Sequence, residues 1–204
     1  MAISSDNSKI VSASWDDTIK VWELNTGRLL NTLEGHSSAV YSVAISSDNS
    51  KIVSGSGRWD KTIKVWDLNT GKLLNTLEGH SSWVSSLAIS SDNSKIVSGS
   101  ADKTIKIWNL NTGKLLNTLE GHSDVSVAIS VAISDNSKIV SIAIVIPSGE
   151  SGSDKTIKFW NLDKGKCYLR YKFDERMISL TLSKNRNFIA LGGESGLYLG
   201  SLSA

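Results

Sequence analysis

The feature that most constrains this chain of 204 residues is an internal repeat with intervals of 42 to 44 residues. Gly-His pairs mark the repeat at Gly35-His36, Gly79-His80 and Gly121-His122. A second marker is a tryptophan that closes a short apolar segment, at Trp22, Trp66, Trp108 and, after a longer interval of 52 residues, Trp160. Repeats of this length are typical of arrays of supersecondary units, none of which can bury its apolar faces without a neighbour. We therefore expect an array of similar units stacked on one another.

Each unit carries the pattern of four short β-strands, because apolar or alternating segments are separated by turn residues. In the second unit the strands are predicted at Val40–Ser46, Lys51–Ser56, Thr62–Leu68 and Lys72–Leu77. The third and fourth are joined by Asn69-Thr70-Gly71, whose glycine can adopt a positive φ. A four-stranded meander alone is marginal in water, whereas radial stacking of meanders covers both faces of each. The pattern predicts an all-β fold, a β-propeller of four-stranded antiparallel blades.

The repeated residues resemble those of the WD-repeat β-propeller family. The likeness rests on the Gly-His pair, the Ser-Gly-Ser of the second strand, the Asp six residues before the tryptophan, and the tryptophan itself. It implies that a His, a Ser, an Asp and a Trp form a hydrogen-bonded tetrad in each blade. The implied tetrads are His36, Ser54, Asp60 and Trp66; His80, Ser98, Asp102 and Trp108; and His122, Ser141, Asp154 and Trp160, where an insertion leaves the serine open. The first unit keeps Ser12, Asp16 and Trp22 without a histidine.

The repeat predicts one domain, residues 1–204, and divides it into five blades at 1–34, 35–78, 79–120, 121–174 and 175–204. The first and last blades are expected to be incomplete, because the repeat is cut within a strand at one end and lacks a fourth strand at the other. Three arrangements remain open: a closed five-bladed ring, a piece of a longer propeller, or self-association of two copies through the incomplete terminal blades. The segment Phe188–Gly196 is similar to the closing blade of propellers appended to bacterial signalling NTPases. That likeness implies a sensor or scaffold piece of a larger signalling protein.

Composition limits the partners that the chain attracts by charge. The net charge is +2 and the lysines recur singly within repeats, so neither nucleic acid nor a membrane is expected as a partner. A single cysteine, Cys167, excludes an internal disulfide framework and fits a reducing compartment. No stretch reaches about 18 consecutive apolar residues, and the first residues lack the pattern of a signal peptide. We expect a cytoplasmic location.

The sequence contains no complete catalytic or cofactor motif. The resemblance places all three histidines in tetrads, and the tetrad serines lie on strands with no nucleophile elbow. Gly55-Ser56-Gly57-Arg58 lacks the closing glycine and lysine of a phosphate loop. The Ser-Asp-Asn-Ser turns lack the further oxygen ligands of a calcium loop. The sequence therefore predicts a protein that is not an enzyme, with no cofactor and no metal.

The positions where the units differ are the candidates for binding. They lie just before the tetrad Asp and just after the Gly-His pair, two loops that share one face in WD-repeat propellers. The candidates are Trp15, Tyr41, Arg58, Trp59 and Trp83. Exposed aromatic side chains and arginine are typical of binding hot spots, so we expect a scaffold that binds a protein or peptide there. Two alternatives remain open: tryptophans that only pack on the next blade, and a carbohydrate-binding propeller that stacks sugars on indole rings.

The fourth unit is longer than the others between its second and third strands. Asp135 and Asp154 are 19 residues apart, whereas Asp92 and Asp102 are 10 apart. The additional segment contains five consecutive apolar residues, Ile142–Ile146. An exposed run of this kind would favour aggregation. We therefore expect it to be at least partly paired or buried.

Overall fold

Five antiparallel sheets follow one another along the chain. The computed structural model describes residues 1–120, 122, 127–135, 138–145, 156–172, 177–182, 188–193 and 196–201, and these residues form nineteen strands and no helix. The first sheet contains β1 (Ala2–Ile3), β2 (Lys9–Ala13), β3 (Ile19–Glu23) and β4 (Leu29–Leu33). The second contains β5 (Val40–Ile45), β6 (Lys51–Ser56), β7 (Ile63–Asp67) and β8 (Leu73–Leu77). The third contains β9 (Val84–Ile89), β10 (Lys95–Ser100), β11 (Thr104–Asn109) and β12 (Leu115–Glu120).

The last two sheets are the fourth and the fifth. The fourth contains β13 (Val127–Asp135), β14 (Lys138–Val145), β15 (Thr156–Asn161) and β16 (Lys166–Lys172). The fifth has three strands, β17 (Met177–Leu182), β18 (Phe188–Gly193) and β19 (Leu197–Ser201). In every sheet the strands are antiparallel and adjacent in chain order. The predicted all-β fold of four-stranded blades, with a short β1 in the first sheet and no fourth strand described in the last, is confirmed.

The hydrophobic cores lie between neighbouring sheets. Successive side chains of a strand point to opposite faces, so Ile52 packs in the core with the first sheet while Val53 packs in the core with the third. Trp66 and Trp108 each project toward the preceding sheet and are 1% exposed. A third core joins the third and fourth sheets around Ile107 and Trp160. The second and third sheets are thus apolar on both faces and depend on both neighbours for burial.

Polar contacts at one end of the sheets connect the Ser-Asp-Asn-Ser turns of successive units. The backbone N–H of Ser5 donates to Asn49 Oδ1 at 2.9 Å, and that of Ser47 donates to Asn93 Oδ1 at 2.9 Å. Asn49 and Asn93 have φ values of 57° and 55°, a left-handed conformation that asparagine tolerates better than most residues. The repeated asparagine therefore closes its own turn and accepts a hydrogen bond from the preceding unit.

The insertion in the fourth unit lengthens a strand pair. β14 continues to Val145 and pairs with β13 through Ile142↔Ser130 and Val145↔Val127. The expectation that the apolar segment is paired is confirmed for Ile142–Val145, whereas Ile146 and Pro147 lie outside the described residues. Paired strands satisfy their backbone hydrogen-bonding groups and leave fewer edges for aggregation.

Contacts between sheets run in chain order. The first strand of each sheet contacts the first two strands of the preceding one, as β9 does with β5 and β6. Among the described strands, none of the fifth sheet lies in extended contact with the first sheet. In the same part of the chain, no helix is long and apolar enough to cross a membrane.

Candidate functional site

Four side chains form a continuous chain of hydrogen bonds inside the second sheet. The Trp66 indole N–H donates to Ser54 Oγ at 2.8 Å, and Ser54 Oγ lies 2.7 Å from His36 Nε2. His36 Nδ1 lies 2.7 Å from Asp60 Oδ2. One proton assignment satisfies every group: Ser54 donates to Nε2, and Nδ1–H donates to the carboxylate. The loop after β4, strands β6 and β7, and the turn between them are thereby connected.

The third sheet repeats this network with nearly the same geometry. Trp108 donates to Ser98 Oγ at 2.9 Å, Ser98 Oγ lies 2.8 Å from His80 Nε2, and His80 Nδ1 lies 2.7 Å from Asp102 Oδ2. Both histidine side chains are at most 1% exposed. The structure therefore brings together all four members in two of the three tetrads named from the sequence.

The first and fourth units contain the network in part. In the fourth sheet Ser141 Oγ accepts from the Trp160 indole at 2.8 Å and lies 2.9 Å from His122 Nε2. Ser141 is thus the serine that meets the histidine, while Asp154 lies outside the described residues. In the first sheet Trp22 donates to Ser12 Oγ at 2.9 Å, and Asp16 Oδ1 accepts from Thr18.

Both tetrad carboxylates are held in the ionised form. Burial acts to raise the pKa of Asp60, but hydrogen bonds from His36, from Thr62 and from the Ser37 backbone N–H outweigh it, so the pKa lies well below its ordinary value. The pKa of Asp102 is likewise far below its ordinary value, because bonds from His80 and Thr104 overcome the same burial. An ionised, fully bonded carboxylate keeps each histidine in a single tautomer.

The threonines beside these carboxylates were missed by the sequence interpretation. Thr62 donates to Asp60 Oδ1 from its backbone and its hydroxyl group, and Thr104 does the same to Asp102. The signal was present, because each of the first four units carries Asp-x-Thr, as at Asp16-Asp17-Thr18. Short polar side chains at this spacing bond local backbone N–H groups in turns. The threonine occupies the second carboxylate oxygen and leaves the first for histidine.

The two tetrads described in full hold their serine hydroxyl groups away from solvent. Ser54 and Ser98 are 0% exposed, and each hydroxyl is bonded to both an imidazole and an indole. Within the described residues, no group of three or more His, Cys, Asp or Glu side chains is placed to bind a metal ion. The arrangement is suited to fixing the turns above it.

Above the tetrads lies a row of variable side chains, Trp15, Tyr41, Arg58, Trp59 and Trp83, here named the rim. Because strands alternate in direction, the loop after each Gly-His pair and the turn between the second and third strands share one end of each sheet. Trp15 and Trp59 are 81% and 87% exposed. Neither indole is buried by the neighbouring sheet, although the edge of Trp15 meets Tyr41 of β5. The packing alternative, in which the indoles fold down on the next blade, therefore disagrees with their exposure.

One half of the rim joins the first sheet to the second. The rings of Trp15 and Tyr41 meet edge to face with their centroids 6.4 Å apart. A Cβ atom on Gly57 would lie 3.0 Å from Tyr41 Cε2 and 2.6 Å from Ser38 Oγ, so glycine is what allows the tyrosine ring to approach the next turn. Tyr41 therefore lies between Trp15 and the turn that carries Arg58 and Trp59.

The other half of the rim joins the second sheet to the third. The Arg58 guanidinium carbon lies 4.5 Å from the centre of the Trp83 ring, a cation–π contact. The expectation that the aromatic candidates are exposed is wrong for Trp83, which is half-buried beneath this arginine. From the end of β6 to Asp60 the turn is two residues longer than the turn from the end of β10 to Asp102. This extension supplies the arginine that reaches Trp83.

Comparisons with known proteins agree with this architecture. The sequence profile described as WD domain, G-beta repeat matches residues 1–23, 27–67, 71–109 and 113–161. The Mitochondrial division protein 1 of Neurospora crassa is 50% identical over 36 residues, which are 18% of this chain and 6% of that protein.

Solved structures of other proteins match over almost the whole chain. The structure of U3-55K has a TM-score of 0.85 at 28% identity, covering 99% of this chain and 60% of that one. The computationally designed Ika8 protein has a TM-score of 0.77 at 35% identity, covering 96% of this chain and 56% of that one. This chain therefore spans less than two thirds of each of these proteins.

Proposed function

The chain belongs to the family described as WD domain, G-beta repeat, and on that premise we propose that it is a non-catalytic scaffold that binds protein or peptide partners on the rim. The observation that carries the proposal is the exposure of Trp15 and Trp59, at 81% and 87%, on turns that buried tetrads or their remnants hold in place. Large exposed indoles on a rigid frame are favourable binding anchors, because little conformational entropy is lost when a partner covers them.

The tetrad carboxylates below the rim favour a peptide over a carbohydrate. Asp60 and Asp102 already accept hydrogen bonds from histidine, threonine and backbone groups. They are therefore not available to bind sugar hydroxyl groups beside a stacked ring. The rim side chains also differ from one sheet to the next, which suits one extended partner crossing several sheets better than a sugar site repeated in each.

We also propose a cytoplasmic location and a role as the sensor or scaffold piece of a larger signalling protein. The support for the second is that the chain spans only part of the proteins it resembles, 6% of the Neurospora relative and 60% of U3-55K.

A random dodecapeptide library displayed on phage tests rim binding. Selection on the wild-type chain is expected to enrich peptides whose binding falls more than tenfold in the triple variant Trp15→Ala, Trp59→Ala, Trp83→Ala, because buried aromatic anchors dominate such interfaces. The matched control replaces three exposed leucines of the outer strands, Leu29→Ala, Leu73→Ala, Leu116→Ala, and is expected to retain binding. Enrichment of no peptide, or equal binding by the tryptophan variant, would contradict the proposal.

A further inference from the structure

The rim carries a positively charged group that is held in place and that has no charged partner among the described residues. We propose that the partner of the rim is an extended peptide with an acidic side chain that binds Arg58, while its apolar side chains lie along Trp15, Tyr41 and Trp59. This inference rests on the proposed function, since it names the chemistry of the partner at the same surface.

Arg58 is prepared for a carboxylate by its own surroundings. Its guanidinium group stacks on Trp83 at 4.5 Å, which restricts the side chain while leaving it exposed. Within the described part of the chain, no ion pair or hydrogen bond reaches this group. A planar guanidinium with free N–H groups binds a carboxylate through two parallel hydrogen bonds. Part of the ordering cost of such a bond is already met by the contact with Trp83.

The nearby aspartate does not neutralise this arginine. Asp60 is two residues away in sequence, but its side chain is only 4% exposed and turns inward to His36. Its Oδ2 accepts from His36 Nδ1 at 2.7 Å and from the Ser37 backbone N–H at 2.9 Å, and its Oδ1 accepts from Thr62. The Asp60 carboxylate is therefore bonded within the tetrad, while the charge of the arginine stays at the surface.

The charge beside the rim changes sign between the first sheet and the second. The residue after the tetrad aspartate has the same left-handed backbone in three sheets, with φ values of 68° at Asp17, 60° at Lys61 and 71° at Lys103. The side chain at this position is acidic in the first sheet and basic in the second and third. Like charges repel and opposite charges attract across an interface. An acidic residue of the partner is therefore favoured over the second and third sheets and disfavoured over the first.

The rim favours a carboxylate over a phosphorylated side chain. Phosphopeptide sites are built from clusters of arginines, whereas Arg58 is the one arginine in the rim and the lysines beside it are single charges. One guanidinium matches the single charge and the two oxygens of Asp or Glu. A phosphoserine peptide is accordingly a separate outcome of the test.

The test compares selected peptides on four proteins, the wild type and three single variants. Dodecapeptides selected on the wild-type chain are expected to share Asp or Glu at one fixed distance from their apolar residues. The corresponding synthetic peptides, measured by fluorescence anisotropy, are expected to bind roughly tenfold to a hundredfold more weakly when that residue is Asn or Gln, and equally weakly to Arg58→Gln. Arg58→Lys keeps the charge but not the paired hydrogen bonds and should restore only part of the loss. Arg28→Gln, which changes an arginine 3.5 Å from Glu23 at the opposite end of the first sheet, is the matched control and should bind as the wild type does.

The outcomes separate this inference from the proposed function. Peptides that require the tryptophans but have no acidic position, or whose acidic position is indifferent to Arg58→Gln, would overturn the inference and leave rim binding intact. Tighter binding of the phosphoserine version than of the Asp version would also overturn it, in favour of a phosphopeptide. If no peptide requires the tryptophans, rim binding itself fails.

Discussion

The second and third sheets share nearly the same strands and tetrad but differ in the turn above the tetrad. β6 and β10 have the same six letters, KIVSGS, and both tetrads join tryptophan, serine, histidine and aspartate at distances of 2.7 to 2.9 Å. The sheets differ in the next turn, where Gly57-Arg58-Trp59 in one corresponds to Ala101 alone in the other. The buried network continues unchanged below a turn that differs in length, charge and aromatic content.

This difference shows which positions carry which constraint. A buried polar group that loses its hydrogen-bond partner destabilises the folded chain, so every member of the tetrad is constrained by the other three. The turn residues above it contribute little to that network, and their side chains are exposed or contact each other across sheets. Binding can therefore change at the rim without rebuilding the sheet beneath it.

The largest effect is expected when a tetrad tryptophan is removed. Trp66→Ala should lower the free energy of unfolding by about 3–5 kcal/mol, because it empties a core and leaves Ser54 without its indole donor. Trp59→Ala, a change of the same size on the exposed rim, should alter it by less than about 0.5 kcal/mol. Urea unfolding followed by circular dichroism measures both. Comparable losses in the two variants would abolish the distinction between network and rim.

A histidine substitution tests whether the two tetrads are equivalent. His36→Ala and His80→Ala should each cost on the order of 1–3 kcal/mol, since each leaves a buried serine and a carboxylate short of a partner. The same urea measurement should give similar values for both, because the bond distances match. If His80→Ala left stability unchanged, the structural role of these histidines would be wrong.

Acid should weaken both tetrads through their carboxylates. The pKa values of Asp60 and Asp102 are lowered in the folded chain relative to about 4 in the unfolded chain, so their contribution is complete above about pH 4 and is lost as the pH falls toward the folded values. The unfolding midpoint temperature should therefore fall between pH 5 and pH 2. The double variant Asp60→Asn, Asp102→Asn should be less stable at pH 7 and should show a shallower fall. A fall parallel to that of the wild type would assign the acid sensitivity elsewhere.

Part of that acid slope should persist in the double variant. Hydrogen bonds from Ser4 and Ser8 lower the pKa of Asp6 to about 2, and those from Ser90 and Ser94 lower that of Asp92 to about 2. These carboxylates lie in the Ser-Asp-Asn-Ser turns and not in the tetrads. Stability should therefore still decline below pH 4 by a smaller amount.

The sequence was sufficient for the repeated parts of the molecule and insufficient for the parts that occur once. Strand β6 was predicted at its observed bounds, Lys51–Ser56, because alternation and turn residues are local signals repeated in each unit. The stacking of Arg58 on Trp83 could not be predicted from the amino-acid sequence, since it depends on how far a lengthened turn reaches toward the next sheet. The half-burial of Trp83 follows from that contact and was missed for the same reason.

The smallest effect is expected from exchanging the turns themselves. Replacing Ala101 by Gly-Arg-Trp gives the third sheet the turn of the second, and the unfolding midpoint should move by no more than about 2 °C, because surface changes away from a buried network cost within about 0.5 kcal/mol. The exchange loses the bond from the Ala101 N–H to the Trp83 carbonyl at 3.1 Å and gains turn bonds like those that Asp60 and Lys61 donate to the Gly57 carbonyl. The serine that ends the second strand keeps the preceding loop in place in both sheets, Ser56 by bonding the Ser38 carbonyl and Ser100 by bonding that of Ser82. The same insertion combined with Asp102→Ala is the control and should lower the unfolding midpoint by several degrees. A comparable drop from the insertion alone would mean that the stability of the tetrad depends on the length of the turn above it. The rim could then not vary independently of the buried network.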